Sequence, residues 1–304
     1  MPGADDTGVQ RPVLRLDHLG LGIRDLVAAA TAYERMGFTL SPLSMHAGTT
    51  TPGGPTVPWG SGNRCAMFRN GYLELLGLID PALPSNVKGL VEQYEGLHIV
   101  ALDCAVADRA HASLVAAGIR ANQPVQLERD ASFGPHGDTT RRAKFRNIYL
   151  DPAAHPEARF LVLEHQTRDV LWQQHLLEHP NGVQSLESVC LMVRDLEAAL
   201  ARLRPLLGSA VAWEGGYRFD LGRGVVWLMK EESVRRFCPV LREHAVNRVA
   251  SACFGVRSLA ALGDLLESRG VNFEAAPAWG SSQRSIWVGP AEAAHAAIQF
   301  IEIT

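Results

Sequence analysis

The sequence predicts an α+β fold in which one unit, strand-helix-strand-strand-strand, occurs four times. Three observations predict it. An Arg-Asp-Leu phrase follows an apolar strand-like run and opens a helix at Arg24-Asp25-Leu26 and again at Arg194-Asp195-Leu196, with a variant at Arg257-Ser258-Leu259. Glycines stop these helices at Gly37, Gly208 and Gly270. Two or three runs with strand character then follow before the next helix. An internal repeat of this kind is a stronger guide to fold than any single propensity.

Residues 1–11, beginning Met1-Pro2-Gly3-Ala4-Asp5-Asp6, are acidic and polar and read as a disordered tail, without the basic and apolar regions of a secretory signal. The first unit spans 12–82. Its first strand covers Arg15 to Ile23, Asp25 is the N-cap, alanines raise helix propensity, and strands run Phe38 to Met45, Arg64 to Phe68 and Gly71 to Ile79. Between them Ala47 to Gly62, rich in Thr, Gly and Pro, reads as a long lid or binding loop.

The second unit, 95–166, is the weakest copy: Leu97 through Ala105, a helix ending at Gly118-Ile119, then strands Arg120 to Leu127, Ala143 to Leu150 and Arg159 to Glu164. Residues 167–183, with Leu171-Trp172 and a His179-Pro180-Asn181-Gly182 turn, read as the linker between two halves. The third and fourth units are 184–234 and 246–304.

The 304 residues, 47% of them hydrophobic, are enough for two or three domains with proper cores. A net charge of −3 with no long basic run gives neither nucleic acid nor an anionic membrane as a partner and leaves a small molecule as the expected one. Five scattered cysteines without a C-x-x-C pair fit free thiols in a reducing compartment, so the expected location is the cytoplasm. No apolar run approaches the roughly 20 residues that span a bilayer. Phosphate loops, Gly-x-Ser-x-Gly elbows and cysteine nucleophile settings are absent.

Four ionisable residues stand inside buried-looking strands: His18, His98, Glu74 and Glu164. A carboxylate there loses several kcal/mol of hydration unless something pairs with it, and a divalent ion held by imidazole and carboxylate is one such partner. A period-2 strand leaves two faces open to Glu74, one toward a metal and one toward solvent. His165 should point away from Glu164 and be structural or interfacial; His46, His136 and His155 read as surface residues.

A β-α-β-β-β repeat with histidine on its first strand and glutamate on its last resembles the vicinal-oxygen-chelate superfamily. That group includes glyoxalase I, methylmalonyl-CoA epimerase, fosfomycin-resistance proteins and extradiol dioxygenases. Within it, Trp59-Gly60-Ser61-Gly62-Asn63-Arg64 followed by Gly71-Tyr72-Leu73-Glu74-Leu75 is most similar to the glyoxalase-like domains. The resemblance implies four modules paired into two cupped mixed-sheet half-barrels. It also implies one divalent ion (Zn, Ni, Co, Mn or Fe) on His18, Glu74, His98 and Glu164 in the first half, with Glu164 or Glu74 as catalytic base.

The second half is expected to be degenerate, with Ser188 and Ser251 in the histidine slots and Glu302 in a glutamate slot, shaping the pocket or replacing the partner of a homodimer. Trp59, Asn63, Arg64, Arg69 and Arg146 are the candidate substrate-binding residues, with Trp172 as a second possible wall. The implied chemistry is chelation of vicinal oxygens and stabilisation of an enediolate or enolate, of isomerase, lyase or epimerase type. The alternatives are an Fe(II) ring-cleaving dioxygenase built on His18, His98 and Glu164, and a protein that only sequesters a small molecule.

Overall fold

The computed structural model describes residues 14–51, 54–241, 247–279 and 281–304; the expected N-terminal tail lies outside them. The first unit is β1 (Arg15–Ile23), α1 (Leu26–Arg35), β2 (Ser44–Thr49), β3 (Thr56–Met67) and β4 (Tyr72–Leu78). A short α2 (Lys88–Val91) leads to β5 (Gly96–Asp103), α3 (Ala107–Ala116), β6 (Val125–Phe133), β7 (Thr139–Tyr149) and β8 (Arg159–His165). The connecting segment folds as α4 (Arg168–Leu171) and a 3-10 turn, Gln174–Leu176. The third unit follows as β9 (Val183–Val193), α5 (Leu196–Leu207), β10 (Ala210–Trp213), β11 (Gly216–Asp220) and β12 (Val225–Lys230). After α6 (Glu231–Phe237) the fourth is β13 (Arg248–Val256), α7 (Leu259–Ser268), β14 (Glu274–Pro277), β15 (Arg284–Val288) and β16 (Ala297–Glu302).

The repeated phrase works as a capping signal. The Asp25, Asp195 and Ser258 side chains accept from the backbone N–H groups of Ala28, Ala198 and Ala261 at 2.9, 3.0 and 3.2 Å, satisfying donors that a helix start leaves open. The second unit has Val106 at that position, which offers no cap. There the carboxylate of Glu164, on β8, accepts from Ala107 N at 2.8 Å instead; Glu302 does the same for Leu259 N, also at 2.8 Å.

The units pair into two eight-stranded mixed sheets, ordered β2-β3-β4-β1-β5-β8-β7-β6 and β10-β11-β12-β9-β13-β16-β15-β14. This is the α+β arrangement of two cupped half-barrels that the repeat and the resemblance lead one to expect. Their outer faces meet: Leu19, Leu21, Phe38 and Phe68 share one core with Leu191, Phe254 and Phe300. The concave face of the second sheet is filled by Cys190, Met192, Trp227, Met229, Trp279 and Trp287, closed over by Val234 of α6.

Where a long loop is expected, Ala47 to Gly62 contributes instead to a paired hairpin. Ser44 pairs with Asn63, Met45 with Gly62 and Ala47 with Pro58. Its Gly and Pro content suggests a loop, but an edge strand tolerates proline where no ladder bond is needed. At the shift between Met45 and Ala47, Trp59, Gly60 and Ser61 of β3 stand opposite the single residue His46 of β2.

Candidate functional site

The central strands decide which side chains meet. β1 and β5 are antiparallel, and the pairs Leu16–Leu102 and Leu21–Leu97 are related by a local two-fold that passes beside Leu19 and Val100. Each strand carries one bulged residue, Asp17 on β1 and His98 on β5. The two-fold therefore carries Asp17 onto His98 and His18 onto Ile99. Continuing through the parallel neighbours, Gly20 pairs with Glu74 while Ala101 pairs with Leu161, so the slot of Glu74 in the first module is held by Leu161 in the second. Corresponding registers put Ser188 with Trp227, and Ser251 with Gln299, at these two slots in the second half.

His18 and Glu74 are brought together. The Nε2 atom of His18 is 3.9 Å from Glu74 Oε2, and both lie on the concave face. His18 is buried, stacks on Tyr72 with ring centroids 4.2 Å apart, and donates Nδ1–H to Asp17 Oδ2 at 2.9 Å. That bond orients the ring and turns Nε2 toward Glu74. The other Glu74 oxygen, Oε1, accepts from Asn63 Nδ2, whose own Oδ1 is buried without a partner. His46 shares this wall, its Nδ1 3.0 Å from the buried Ser61 Oγ. Burial pushes the His46 imidazole below its usual range, with Glu74 opposing and Arg129 adding to the effect.

Asp17 anchors this cluster. It is wholly buried; burial alone would raise its carboxyl, but hydrogen bonds from His165 and His18 outweigh that and hold it well below the usual carboxylate range. His165 approaches Asp17 at 3.1 Å through Nε2 and packs edge-on against Trp172, at 5.0 Å. Arg168 and, from the second half, Arg223 stand 3.9 and 3.8 Å from Asp17 Oδ1. Arg223 also bonds Asp103 at 2.6 Å, so the second half reaches beneath the first site. Trp172, from the connecting segment, closes one end of the cup and donates Nε1–H to Phe68 O at 2.8 Å.

His98 and Glu164 do not join the pair. His98 lies toward the other end of β5, its Nε2 2.8 Å from Tyr94 O and its ring stacked 3.8 Å from Tyr94, beside the Cα of Gly22. Glu164 is on the convex face, capping α3. The cause is parity. Leu161, Leu163 and His165 face the cup, so Glu164 cannot, and His165, expected on the opposite side, is the residue of that strand end that contacts Asp17.

The same parity sorts the other candidates. Asn63 lies on the cup face of β3 with Cys65, the partner of Glu74, while Trp59 precedes that paired stretch, its ring against Gly48 of β2. Arg64 faces outward, bonded to Ser41 O and paired with Glu34 at 2.9 Å. Arg69 is exposed at the junction of the halves, its backbone N–H on Gln184 O. Arg146 makes a bidentate pair with Asp108 on α3 at 2.7 and 2.8 Å, also on the convex side. His46, expected at the surface, stands on this wall instead, and Asp17 and Arg129 are site residues that the sequence pattern does not single out. A buried acid directly before the histidine was the available signal for Asp17; His46 and Arg129 become site residues only through strand pairing.

Among the described residues no three His, Cys, Asp or Glu side chains converge as a metal cluster. The four-ligand set therefore does not form: its second-module slots hold Ile99 and Leu161. What remains is a one-sided donor set, the His18 imidazole and Glu74 carboxylate with the orphaned Asn63 amide oxygen, which fits a divalent ion having open positions toward the cup.

A glyoxalase-like domain profile matches residues 16–207. No curated protein matches the sequence. Among solved structures, a hypothetical protein from Staphylococcus aureus aligns over 95% of this chain and 100% of its own, at 12% identity and TM-score 0.60. Homoprotocatechuate 2,3-dioxygenase from Arthrobacter globiformis aligns over 100% and 84%, at 11% identity and TM-score 0.54. The Mn(II)-bound glyoxalase from Novosphingobium aromaticivorans aligns over 96% and 83%, at 9% identity and TM-score 0.55. At these identities the likeness is one of fold. With its βαβββ modules paired as described and the profile covering well over half of its length, the chain belongs to the glyoxalase-like domain family of the vicinal-oxygen-chelate superfamily.

Proposed function

We propose that the chain is a redox-neutral enzyme, of isomerase, lyase or epimerase type, that moves a proton next to a carbonyl of a small substrate with the help of a divalent ion. The observation that carries this reading is the meeting of the buried His18 with the half-buried Glu74, at 3.9 Å, with the far nitrogen of His18 held by Asp17. The Mn(II)-bound glyoxalase with the same fold supports an ion of this kind. His18, Glu74 and the Asn63 amide oxygen would hold it, and when bound it supplies Lewis acidity to neighbouring substrate oxygens.

The protein's own groups do the rest. Asp17 keeps His18 in one tautomer and one orientation, a role that commonly changes metal affinity or activity 10- to 100-fold. The Asn63 amide holds one oxygen of Glu74, and the carboxylate, once it lets go of the ion, would be the base that takes a proton from the substrate carbon and returns it. Tyr72, beneath His18, stays a phenol because burial raises it well above its usual range, with Asp17 and Glu74 adding to the rise. The ring-cleaving alternative needs His18, His98 and Glu164 on one ion, and the last two lie elsewhere.

Metal analysis of protein purified without chelator, together with turnover on a panel of dicarbonyl and 2-oxo acid substrates, tests the reading. His18→Ala and Glu74→Ala should each lose the ion and at least about 100-fold in turnover, while His98→Ala and Glu164→Ala keep both. Metal and turnover surviving in the first pair would sink the proposal.

A further inference from the structure

Arg129 is an arginine of the first half that faces the cup. It lies on β6 opposite Ala143, on the face that carries Phe145 and Ala131 over the cup, while its neighbours Glu128 and Asp130 pair with Lys144 and Arg142. It is half-buried, and its hydrogen-bond partner is a neutral hydroxyl, Ser44 Oγ of β2, at 2.6 Å. That bond joins the two edge strands of the sheet, so the guanidinium lies where the half-barrel comes round on itself. Its charge is felt by His46, Cys65 and Tyr72 on the wall that carries Glu74.

Among the described residues no carboxylate lies within ion-pair reach of Arg129. Of the other cations near the cup, Arg168 and Arg223 are turned to Asp17, Arg223 also to Asp103, and Arg141 to Asp169, while Arg159, on the cup face of β8, lies over the Tyr149 ring at 5.9 Å. A partly desolvated guanidinium is costly without an anion, and its planar fork matches a carboxylate in two-point contact. A phosphate dianion would call for more than one such cation.

We propose that Arg129 anchors a carboxylate on the substrate, distinct from the oxygens at the His18–Glu74 pair, so that the site takes small carbonyl compounds with a carboxylate tail. This deepens the proposed function and rests on it for the location of the reacting end. Arg129 is then the specificity residue, and the hairpin of β2 and β3 forms the wall against which the tail is held.

Calorimetric titration of the whole protein with 2-oxoglutarate and with 2-oxovalerate, which lacks the second carboxylate, reads the anchor directly. The wild type should bind 2-oxoglutarate roughly 10- to 100-fold more tightly, the range of a charged hydrogen-bonded contact. Arg129→Gln should abolish that preference and leave 2-oxovalerate unchanged, Arg129→Lys should restore part of it, and Ser44→Ala, which cuts only the strand latch, should keep it. Equal binding of the two probes by the wild type, a preference that survives Arg129→Gln, or one lost equally in Ser44→Ala would overturn the proposal. Failure of the proposed function reads differently: Glu74→Ala would bind both probes as the wild type does, with their ratio still reporting Arg129.

Discussion

Burial against Tyr94 pushes the His98 imidazole down to about 4, with its bond to Tyr94 O opposing and Arg248 and Arg159 adding to the fall. The unfolded chain protonates this ring near its ordinary 6.5 and the folded chain only near 4, so the unfolded state binds more protons in between. Stability should therefore fall as pH drops from 6.5 to 4, by up to about 3 kcal/mol from this residue. His46, His155 and His179, also lowered by burial, act in the same direction. Urea midpoints measured across this window should show a shallower slope for His98→Gln than for the wild type; an unchanged slope would remove His98 from the account. At this scale the sequence marked His18, Glu74, Trp59 and Asn63 by residue type and setting. It did not reveal that Asp17 rather than His18 is the counterpart of His98, because a β-bulge shifts the facing of one residue without a mark in composition.

Among the elements, α3 and β8 explain why a glutamate inside an apolar run was misleading. Val106 cannot cap α3, and Glu164 supplies the missing acceptor from the neighbouring strand. Glu164→Ala should cost about 1 kcal/mol, the usual worth of a helix cap, seen as a lower denaturation midpoint with metal content and turnover intact. Loss of the ion in that variant would return Glu164 to the site. The paired Glu302→Ala should show the same loss for α7. Helix starts were legible because capping is local, within three residues. The hairpin of β2 and β3 was not, because its Gly, Thr and Pro content favours a loop and only pairing with β4 makes it a wall.

The whole molecule behaves as one unit through the core between its sheets. Phe38 of the first half lies 5.8 Å from Phe254 and 6.1 Å from Phe300, ring centre to ring centre, and Phe68 lies 5.2 Å from Phe254. Phe254→Ala should destabilise by about 3–5 kcal/mol and move a single unfolding transition shared by both halves. Two separated transitions would show that the halves fold independently. Arg223 adds a second tie, carrying a cation from the second half to Asp103 and Asp17 of the first. The sequence by itself determined the α+β class, the fourfold unit, the helix starts and a polar pair in the first module, because each depends on spacing or on contacts a few residues apart. Only the tertiary structure decided which of the candidate residues meet, since strand parity, two bulges and the register across β1, β4, β5 and β8 turn neighbouring residues to opposite faces. Those pairings join residues as distant in the chain as Asp17 and His165, and so lie beyond what local pattern can carry.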